Sequence, residues 1–303
     1  MSVLTARKSG GTVPRTRNLN LERPVRTMAE RRRISGWILA IGLLTVMLIV
    51  NSPLILTFVN SLRPTPDILG GSTLFPKHAS FDNYIAVSQH TNYWTWFRNS
   101  IVIALFTTFV VLIAAGFAGY SMSRYKTRIN AVYSSALMMF QLFPLVLSVI
   151  ALFITFRTLG LINTPVPAIV LYIVMSLPFC TWMFKGFFDS IPLELEEAAR
   201  IDGASSFRAM RSIVLPLAGP GAAAVAIFAF LQSYNEFMVA SAFLVNADVQ
   251  TIPIGLRNFI LQYRTEWGQM LAASMMAALP PLVLFLLVQK WMIRGMAAGA
   301  VKG

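Results

Sequence analysis

A short polar cluster inside an apolar run holds the residues best suited to bind a polar molecule. The stretch Gln232-Ser233-Tyr234-Asn235-Glu236-Phe237 contains the only acidic residue within such a run. An ionisable group at membrane depth costs about 2 kcal/mol or more, so it should face protein or a wet cavity. Gln232, Asn235 and Glu236 fall within about one helical turn, so their polar groups can share a face. These groups can hydrogen-bond the hydroxyls of a polar cargo; a structural hydrogen bond between helices is the alternative.

A weaker candidate for contact with a polar molecule is Gln141, in the stretch Gln141-Leu142-Phe143-Pro144 of an earlier apolar run. A proline within a buried helix frees a carbonyl and permits a bend, which suits a helix beside a water-filled path. A simple packing kink is the alternative. Pro178 has a similar position in the following run.

The long polar interval at residues 190–216 predicts two helices joined by a turn. Ser190 is suited to cap the first helix. Gly203 comes where a left-handed residue usually ends a helix. Ser205, or the serine after it, can cap a second helix that runs to Pro216.

The first of these helices has an apolar face made by Leu193, Ala198 and Ile201. The small alanine allows another surface to come close, so this face is suited to docking against a partner protein. An amphipathic helix that lies on the bilayer is the alternative.

The elements that position these residues are membrane helices. The 303 residues are 56% hydrophobic and 12% charged with a mean hydropathy of +0.65, which is too apolar for a water-soluble globule. Runs that approach or exceed about twenty residues can cross the hydrocarbon, and in lipid they must be helices. We therefore predict an all-α fold with six transmembrane helices, at about 35–60, 99–121, 131–156, 165–188, 217–240 and 269–293.

The formal charge of +13 fixes orientation and does not indicate nucleic-acid binding. With the N-terminus inside, nineteen of the twenty-five Lys and Arg residues fall on the inner side of the membrane. The positive-inside rule then places both termini and the interval 190–216 in the cytoplasm. Residues 1–34 are predicted to be a basic, disordered cytoplasmic tail. Contact of this tail with anionic lipid is an alternative to a role in orientation alone.

The sequence lacks the residue sets that catalysis or metal binding would need. It contains no H-E-x-x-H set and no G-x-x-x-x-G-K-[ST] phosphate loop, so the chain is not expected to be an enzyme or to bind ATP. The single cysteine, Cys180, lies in an apolar run, which excludes a disulfide framework or a cysteine metal site. His78 and His90 lack suitable partners and are predicted to be surface residues, so no metal is expected.

A motif of fixed spacing also lies in the interval 190–216. It consists of Glu197-Ala198-Ala199, three residues, Gly203, nine residues, Ile213, one residue and Leu215-Pro216. This pattern resembles the EAA loop of ABC-importer permeases at every fixed position. The resemblance implies a coupling helix that contacts an ATPase subunit, and it assigns that role to Glu197, Ala198, Ala199, Asp202, Gly203, Leu215 and Pro216.

Other segments resemble carbohydrate-importer permeases of the maltose-transporter type. Their first outer loop is similar to Ser61-Leu62-Arg63-Pro64 followed by Phe81-Asp82-Asn83-Tyr84, and their Trp-Asn-Glu-Phe segment is similar to residues 234–237, with Tyr in place of Trp. The ending at residues 294–303 is also similar, so the resemblance covers residues 35–303. It implies that a translocation path lies near Gln141, Gln232, Tyr234, Asn235 and Glu236.

The resemblance implies a type I ABC importer permease in a bacterial inner membrane, working by alternating access. The implied partners are a second homologous permease, two ATPase subunits, an extracytoplasmic solute-binding protein, membrane lipid and a carbohydrate substrate. ATP and Mg would be bound by the ATPase and no cofactor by this chain. One alternative is an importer of the same type for glycerol phosphate or a polyamine, although a polyamine path should contain more acids than Glu236. A membrane scaffold that recruits a soluble partner is the alternative of another class.

Overall fold

The computed structural model describes residues 28–71, 79–260 and 266–300, which form helices and connecting segments with no strand among them. This confirms the predicted all-α class. A π-helical turn, Met210–Val214, lies between α9 (Ser206–Ala209) and α10 (Leu215–Leu217). In chain order the helices are α1 (Met28–Ser61), α2 (Thr65–Leu69), α3 (Asp82–His90), α4 (Tyr93–Arg124), α5 (Arg128–Leu142), α6 (Leu145–Thr158), α7 (Pro165–Asp189), α8 (Glu194–Ile201), α9 (Ser206–Ala209), α10 (Leu215–Leu217), α11 (Gly219–Tyr234), α12 (Met238–Phe243), α13 (Ile252–Asn258) and α14 (Trp267–Ala300).

Four helical segments in the described ranges are long and apolar enough to cross a membrane, namely Leu39–Ser61, α4, α7 and Trp267–Trp291. Two further pairs of helices pass the same test together but are bent. Arg128–Leu142 meets Leu147–Thr158 at 100°, and Ser206–Leu217 meets Gly219–Tyr234 at 74°. The described residues therefore contain four spans, or six if each bent pair is one span.

The third and fifth predicted spans, at about 131–156 and 217–240, are both interrupted in the structure, and a bend in the third is what Pro144 permits. In the first pair, Phe143 and Pro144 separate α5 from α6, because proline has no N–H and its ring disfavours a helical residue before it. The prediction of one continuous span over 217–240 is wrong, since α11 ends at Tyr234 and α12 begins at Met238. The Glu236 carboxylate accepts backbone N–H groups at the start of α12, so a new helix begins there.

The chain divides into two compact units, Met1–Pro53 and Leu54–Gly303. In the first unit α1 begins at Met28, before the predicted start at residue 35, and the side chains of residues 39–53 are exposed. The remainder of the predicted basic tail, residues 1–27, lies outside the described part of the chain.

The second unit is built around the contact between α4 and α7. A Cβ atom at Gly119 would lie 2.7 Å from the Phe184 Cβ and 3.0 Å from the Lys185 backbone nitrogen, so the two helices approach as closely as glycine allows. Helix α11 packs on the same pair through Val225 and Ala229, which are fully buried. Close packing of this kind holds the three helices as one block.

The two outer-loop strings noted in the sequence meet in the fold. The Asn83 amide nitrogen donates to the carbonyl of Ser61 at 2.8 Å and to that of Arg63 at 2.7 Å. The hydroxyls of Ser61 and Tyr84 share a hydrogen bond of 2.6 Å. These bonds join the end of α1 to α3, which gives the two strings a structural reason to occur together.

Candidate functional site

Helix α8, which carries the fixed-spacing motif, begins later than predicted. Its N-cap residue is Leu193, and no side chain caps it. The prediction that Ser190 caps this helix is wrong, because Ser190 ends α7 and its hydroxyl donates to the Phe187 carbonyl at 2.7 Å. Negative charge still lies at the positive helix end, in a first turn that holds Glu194, Glu196 and Glu197.

The residues around α8 expose large apolar side chains. Ile201 is 87% exposed, Phe207 is 61% exposed and Leu193 is 45% exposed. Ala198, the small member of the predicted apolar face, is exposed as well, next to the exposed Glu197. Apolar groups left uncovered in a polar loop indicate a surface that another molecule covers.

The turn after α8 has the left-handed residue that the sequence predicts at Gly203, where φ is +87°. The N–H of Gly203 donates to the Arg200 carbonyl at 3.0 Å, and that of Ala204 donates to the Ala199 carbonyl at 2.9 Å. This pair of bonds is the Schellman arrangement that satisfies the last carbonyls of a helix. Asp202, the C-cap residue, is exposed beside it.

The second helix of the loop starts at the predicted cap, because the Ser205 hydroxyl accepts the Arg208 N–H at 3.3 Å. The chain continues through the π-helical turn, whose Val214 is fully buried, into α10. Leu215 and Pro216 of the motif lie in α10 and are exposed. The motif residues are therefore mostly on the surface of the loop, with Ala199 partly buried.

One acidic residue of α8 points into the protein, which no pattern in the sequence indicates. Glu196 is fully buried, whereas its neighbours Leu195 and Glu197 are exposed. Its carboxylate accepts the Tyr120 hydroxyl at 2.7 Å and the Arg124 Nε at 2.5 Å. The partners lie at the end of α4, far from Glu196 in sequence, so no local pattern could reveal the contact.

A cavity of about 390 Å³ brings together three of the five residues predicted to lie near a transport path. Gln141, Gln232 and Glu236 all line it. The remaining lining residues are aromatic or apolar, namely Phe140, Phe143, Met175, Pro178, Met238 and Val239. The cavity lies at the break between α5 and α6 and at the break between α11 and α12, so both helix interruptions border it.

Both carboxylate oxygens of Glu236 accept hydrogen bonds within the protein. Its Oε2 atom accepts the Tyr172 hydroxyl at 2.8 Å and the Ala240 N–H at 3.1 Å, and its Oε1 atom accepts the Val239 N–H at 3.0 Å. Gln232 is less constrained, since its Oε1 atom accepts the Ser176 hydroxyl at 3.2 Å and its amide N–H groups remain for other acceptors. Helix α7 supplies Tyr172 and Ser176, so it orients both residues.

The other two candidates have different surroundings. Tyr234 is buried against α14, where its hydroxyl donates to the Ala277 carbonyl at 2.9 Å. Asn235 is the exposed C-cap of α11 and is not among the residues that line the cavity. The side chains of residues 232–236 therefore have two different surroundings: Gln232 and Glu236 line the cavity, whereas Tyr234 packs against α14.

A metal site has no support in the described ranges, where no three His, Cys, Asp or Glu residues lie close enough together to hold an ion. Cys180 is buried in α7, and His90 is exposed at the end of α3. His78 lies outside the described residues.

Comparison with known proteins decides what these features belong to. Residues 111–298 match the family profile described as "Binding-protein-dependent transport system inner membrane component". This match covers more than half of the chain. The chain belongs to this family. It is a membrane-spanning transport subunit and not an enzyme; in importers of this kind a separate subunit hydrolyses ATP.

Relatives match over most of the chain. The diacetylchitobiose uptake system permease protein DasC of Streptomyces coelicolor is 30% identical over 252 residues, which cover 83% of this chain and 91% of the relative. The galactooligosaccharides transport system permease protein GanQ of Bacillus subtilis is 34% identical over 84% of this chain and 91% of its own. The trehalose/maltose transport system permease protein MalG of Thermococcus litoralis is 32% identical over 88% of this chain and 96% of the relative.

Solved structures of similar fold are also transporters. A bacterial ABC transporter involved in the import of the acidic polysaccharide alginate superposes with a TM-score of 0.67 at 22% identity, covering 85% of this chain and 96% of that chain. A bacterial alginate ABC transporter in complex with alginate pentasaccharide-bound periplasmic protein gives a TM-score of 0.60 at 14% identity, covering 86% and 93%. At these identities the likeness establishes the fold.

Proposed function

We propose that this permease carries a carbohydrate across the inner membrane as part of an ATP-driven ABC importer. The observation that carries this proposal is the similarity to permeases named for diacetylchitobiose, galactooligosaccharides and trehalose or maltose, each over more than four-fifths of the chain. The three named substrate classes are all sugars with several hydroxyl groups. A path for such a cargo needs hydrogen-bonding groups set among apolar walls.

The cavity beside the two helix breaks is the proposed sugar-contacting part of the path. Its amides can exchange hydrogen bonds with hydroxyls, and Phe140 and Phe143 offer apolar faces to the sugar ring. Gln141 and Gln232 are the proposed sugar contacts. Glu236 is proposed to hold the cavity wall in place, because its oxygens are already engaged. Tyr234 and Asn235 would support the same region from outside the cavity.

The proposed orientation has six spans, in which α5 and α6 cross once together, the second bent pair crosses through its α11 part, and both termini lie in the cytoplasm. The distribution of basic residues supports it. The loop that carries α8 then faces the cytoplasm. We propose that its exposed surface docks on an ATPase subunit through Glu197, Ala198, Ala199, Asp202, Gly203, Leu215 and Pro216.

The full transporter would contain a second homologous permease, two ATPase subunits and an extracytoplasmic solute-binding protein, within membrane lipid. ATP and Mg would be held by the ATPase subunits, since this sequence has no phosphate loop. Closure of the ATPase pair would move the docked α8, and the permease pair would change from inward-facing to outward-facing as rigid bodies.

There are two alternatives. One is an ABC importer of the same type that carries a different solute, and the other is a membrane scaffold. Polyamine transport is disfavoured because Glu236 is the one acid among the described residues that line the cavity, and its oxygens already accept hydrogen bonds from Tyr172, Val239 and Ala240. Glycerol phosphate would need a cationic group, and among the described residues no Lys or Arg lines this cavity. A scaffold would bind a partner through α8 but move no solute.

Reconstitution of the complete transporter in proteoliposomes tests the proposal. ATP inside and the cognate binding protein outside should drive accumulation of a labelled disaccharide or short oligosaccharide, and a Gln232→Ala variant should change the preference among sugars. Uptake of glycerol phosphate or a polyamine in place of sugar would contradict the carbohydrate assignment. Partner binding without uptake of any solute would favour the scaffold.

A further inference from the structure

The buried end of α4 is tied to α8 by more than the single ion pair with Glu196. Beside its bond to Glu196, Arg124 donates through one terminal nitrogen to the carbonyl of Ile191 at 3.1 Å. The Arg124 side chain is only 7% exposed and that of Glu196 is fully buried. A guanidinium that bonds a carboxylate and a backbone carbonyl together fixes both the helix and the segment leading into it.

The network continues to the end of α7. The other terminal nitrogen of Arg124 donates to the Ser123 hydroxyl at 3.1 Å, and this hydroxyl donates to Asp189 at 2.6 Å. Asp189 also pairs with Lys185, one turn earlier in α7, at 2.5 Å. Residues from α4, α7 and α8 thus form one connected set of charged groups.

This arrangement opposes movement at the short connection between α7 and α8. Residues 190–193 form no helix of their own and would act as a hinge if α8 were held only by the chain. Displacing α8 would separate Glu196, whose side chain is fully buried, from Arg124 and break a largely buried ion pair, which is strongly destabilising. The connection is therefore held by these side chains in addition to its own turn hydrogen bonds, such as that from the Ile191 N–H to the Phe188 carbonyl at 3.1 Å.

We propose that Glu196 is a positioning residue that fixes α8 to the cytoplasmic ends of α4 and α7, so that a displacement of the docked α8 reaches the transport cavity undiminished. This inference rests on the proposed import function. The route is direct, because α7 carries Tyr172 and Ser176, whose hydroxyls hold Glu236 and Gln232 at the cavity. Tyr120 and Arg124 act through Glu196 and share the positioning role.

The test uses the complete transporter in proteoliposomes and measures sugar imported per ATP hydrolysed. Glu196→Gln keeps the size of the side chain but removes the charge that pairs with Arg124. Tyr120→Phe removes one hydroxyl and leaves the ion pair. Coupling between sites in proteins is typically about 5- to 150-fold, so we expect Glu196→Gln to lower sugar imported per ATP about tenfold and Tyr120→Phe to lower it less.

Glu194→Gln is the matched control, because Glu194 is in the same first turn of α8 but is exposed. It should leave the ratio of sugar to ATP unchanged. Membrane abundance and co-purification of the ATPase are measured for every variant, since loss of docking would lower both activities together. An unchanged ratio in Glu196→Gln and in Tyr120→Phe, with normal assembly, would overturn the inference while leaving sugar import by the unmodified chain intact.

A distance measurement keeps the inference testable if Glu196→Gln does not assemble. Spin labels at Lys126→Cys and Arg200→Cys, both exposed positions, report the separation of the end of α4 from α8. This separation should be the same in nucleotide-free and ATP-bound transporter, and Tyr120→Phe should broaden it. The inference would be wrong if this separation changed on ATP binding while Glu196 and Tyr120 are both present. Such a change would show that α8 moves independently of α4. If the chain imports no sugar at all, the proposed function fails, independently of the distances.

Discussion

At the scale of single residues, Glu236 has the most demanding environment near the cavity. Three donors converge on its two oxygens, from Tyr172, Val239 and Ala240. Glu236→Gln replaces one accepting oxygen with an amide nitrogen, so at least one buried donor loses its partner at a cost of about 1–3 kcal/mol. We expect sugar uptake to fall roughly tenfold, because a loss of about 1.4 kcal/mol corresponds to a factor of ten. Uptake rates at equal membrane abundance measure this.

The control for Glu236→Gln is Asp248→Asn, which changes an exposed acid in the segment before α13. Its side chain makes no hydrogen bond within the described residues, so uptake should be unchanged. If Glu236→Gln transports sugar at the normal rate with the normal preference, neither a supporting role nor a direct role in the path survives.

Gly203 gives a second prediction at this scale. Its φ of +87° disfavours any residue with a Cβ, while no neighbouring atom lies within 4 Å of the place a Cβ would take. The cost is therefore conformational, at about 1 kcal/mol or more for Gly203→Ala and the most for the β-branched Gly203→Val. We expect a graded loss of ATPase co-purification and uptake, with membrane abundance retained. Full uptake by Gly203→Val would show that this turn does not transmit the motion.

Sequence reasoning at the residue scale succeeded where the signal is local. The left-handed Gly203 and the capping Ser205 follow from the residue types at a helix end, and both are confirmed. Ser190 was misassigned because a serine between two helices can end one or start the next, and α7 extends far enough to use it. Glu196 was missed because burial depends on α4, which no local pattern reports.

At the scale of elements, the contact between α4 and α7 should be the most sensitive to added volume. A Cβ at Gly119 would meet Phe184 Cβ at 2.7 Å and the Thr181 carbonyl oxygen at 3.0 Å, and backbone atoms cannot move aside. Gly119→Ala should therefore force the helices apart at a cost of about 1–3 kcal/mol. The apparent melting temperature of the purified complex in detergent measures this loss.

Gly116→Ala is the matched control one turn earlier in α4. There the nearest atom to a new Cβ is a ring carbon of Phe184 at 3.9 Å, an ordinary contact. Replacement of glycine within a helix should then be neutral or slightly stabilising. Equal melting temperatures for Gly119→Ala and Gly116→Ala would mean that the α4–α7 contact tolerates separation.

Hydropathy located the membrane elements but not their breaks. The bend after α5 has a visible cause in Pro144, whose position in the sequence permits a bend. The break after Tyr234 contains no proline. There, the Glu236 carboxylate accepts N–H groups in the first turn of α12. A lone acid in an apolar run predicts a residue that faces protein or a cavity, but the sequence does not reveal that Tyr172, in another element, donates to Glu236.

At the scale of the whole molecule, membrane class and family are legible from composition and one motif, whereas assembly is not. Apolar content dictates helices, and the spacing from Glu197 to Pro216 identifies the loop. Which surfaces would pair with the proposed second permease depends on shape and is not encoded in hydropathy. Lipid-facing and partner-facing surfaces are equally apolar. The exposed leucines on α14 therefore do not reveal which kind of surface they belong to.

Orientation in the membrane is the property of the whole chain that a direct measurement can decide. The loop around α8 should be cytoplasmic, and the segment between α12 and α13 should face outward, because basic residues are concentrated on one side. Cysteines placed at Ser206 and at Ala247 test the two sides, since both positions are exposed. The native Cys180 is buried and should react with neither reagent.

An impermeant thiol reagent added to intact cells should label Ala247→Cys and leave Ser206→Cys unlabelled. After the membrane is opened, Ser206→Cys should become labelled as well, which excludes burial as the reason for its earlier protection. In the assembled transporter, ATPase subunits docked on α8 should slow that labelling, and a chain expressed without them should react faster. Labelling of Ser206→Cys from outside intact cells would reverse the orientation and remove α8 from the compartment in which ATP is hydrolysed.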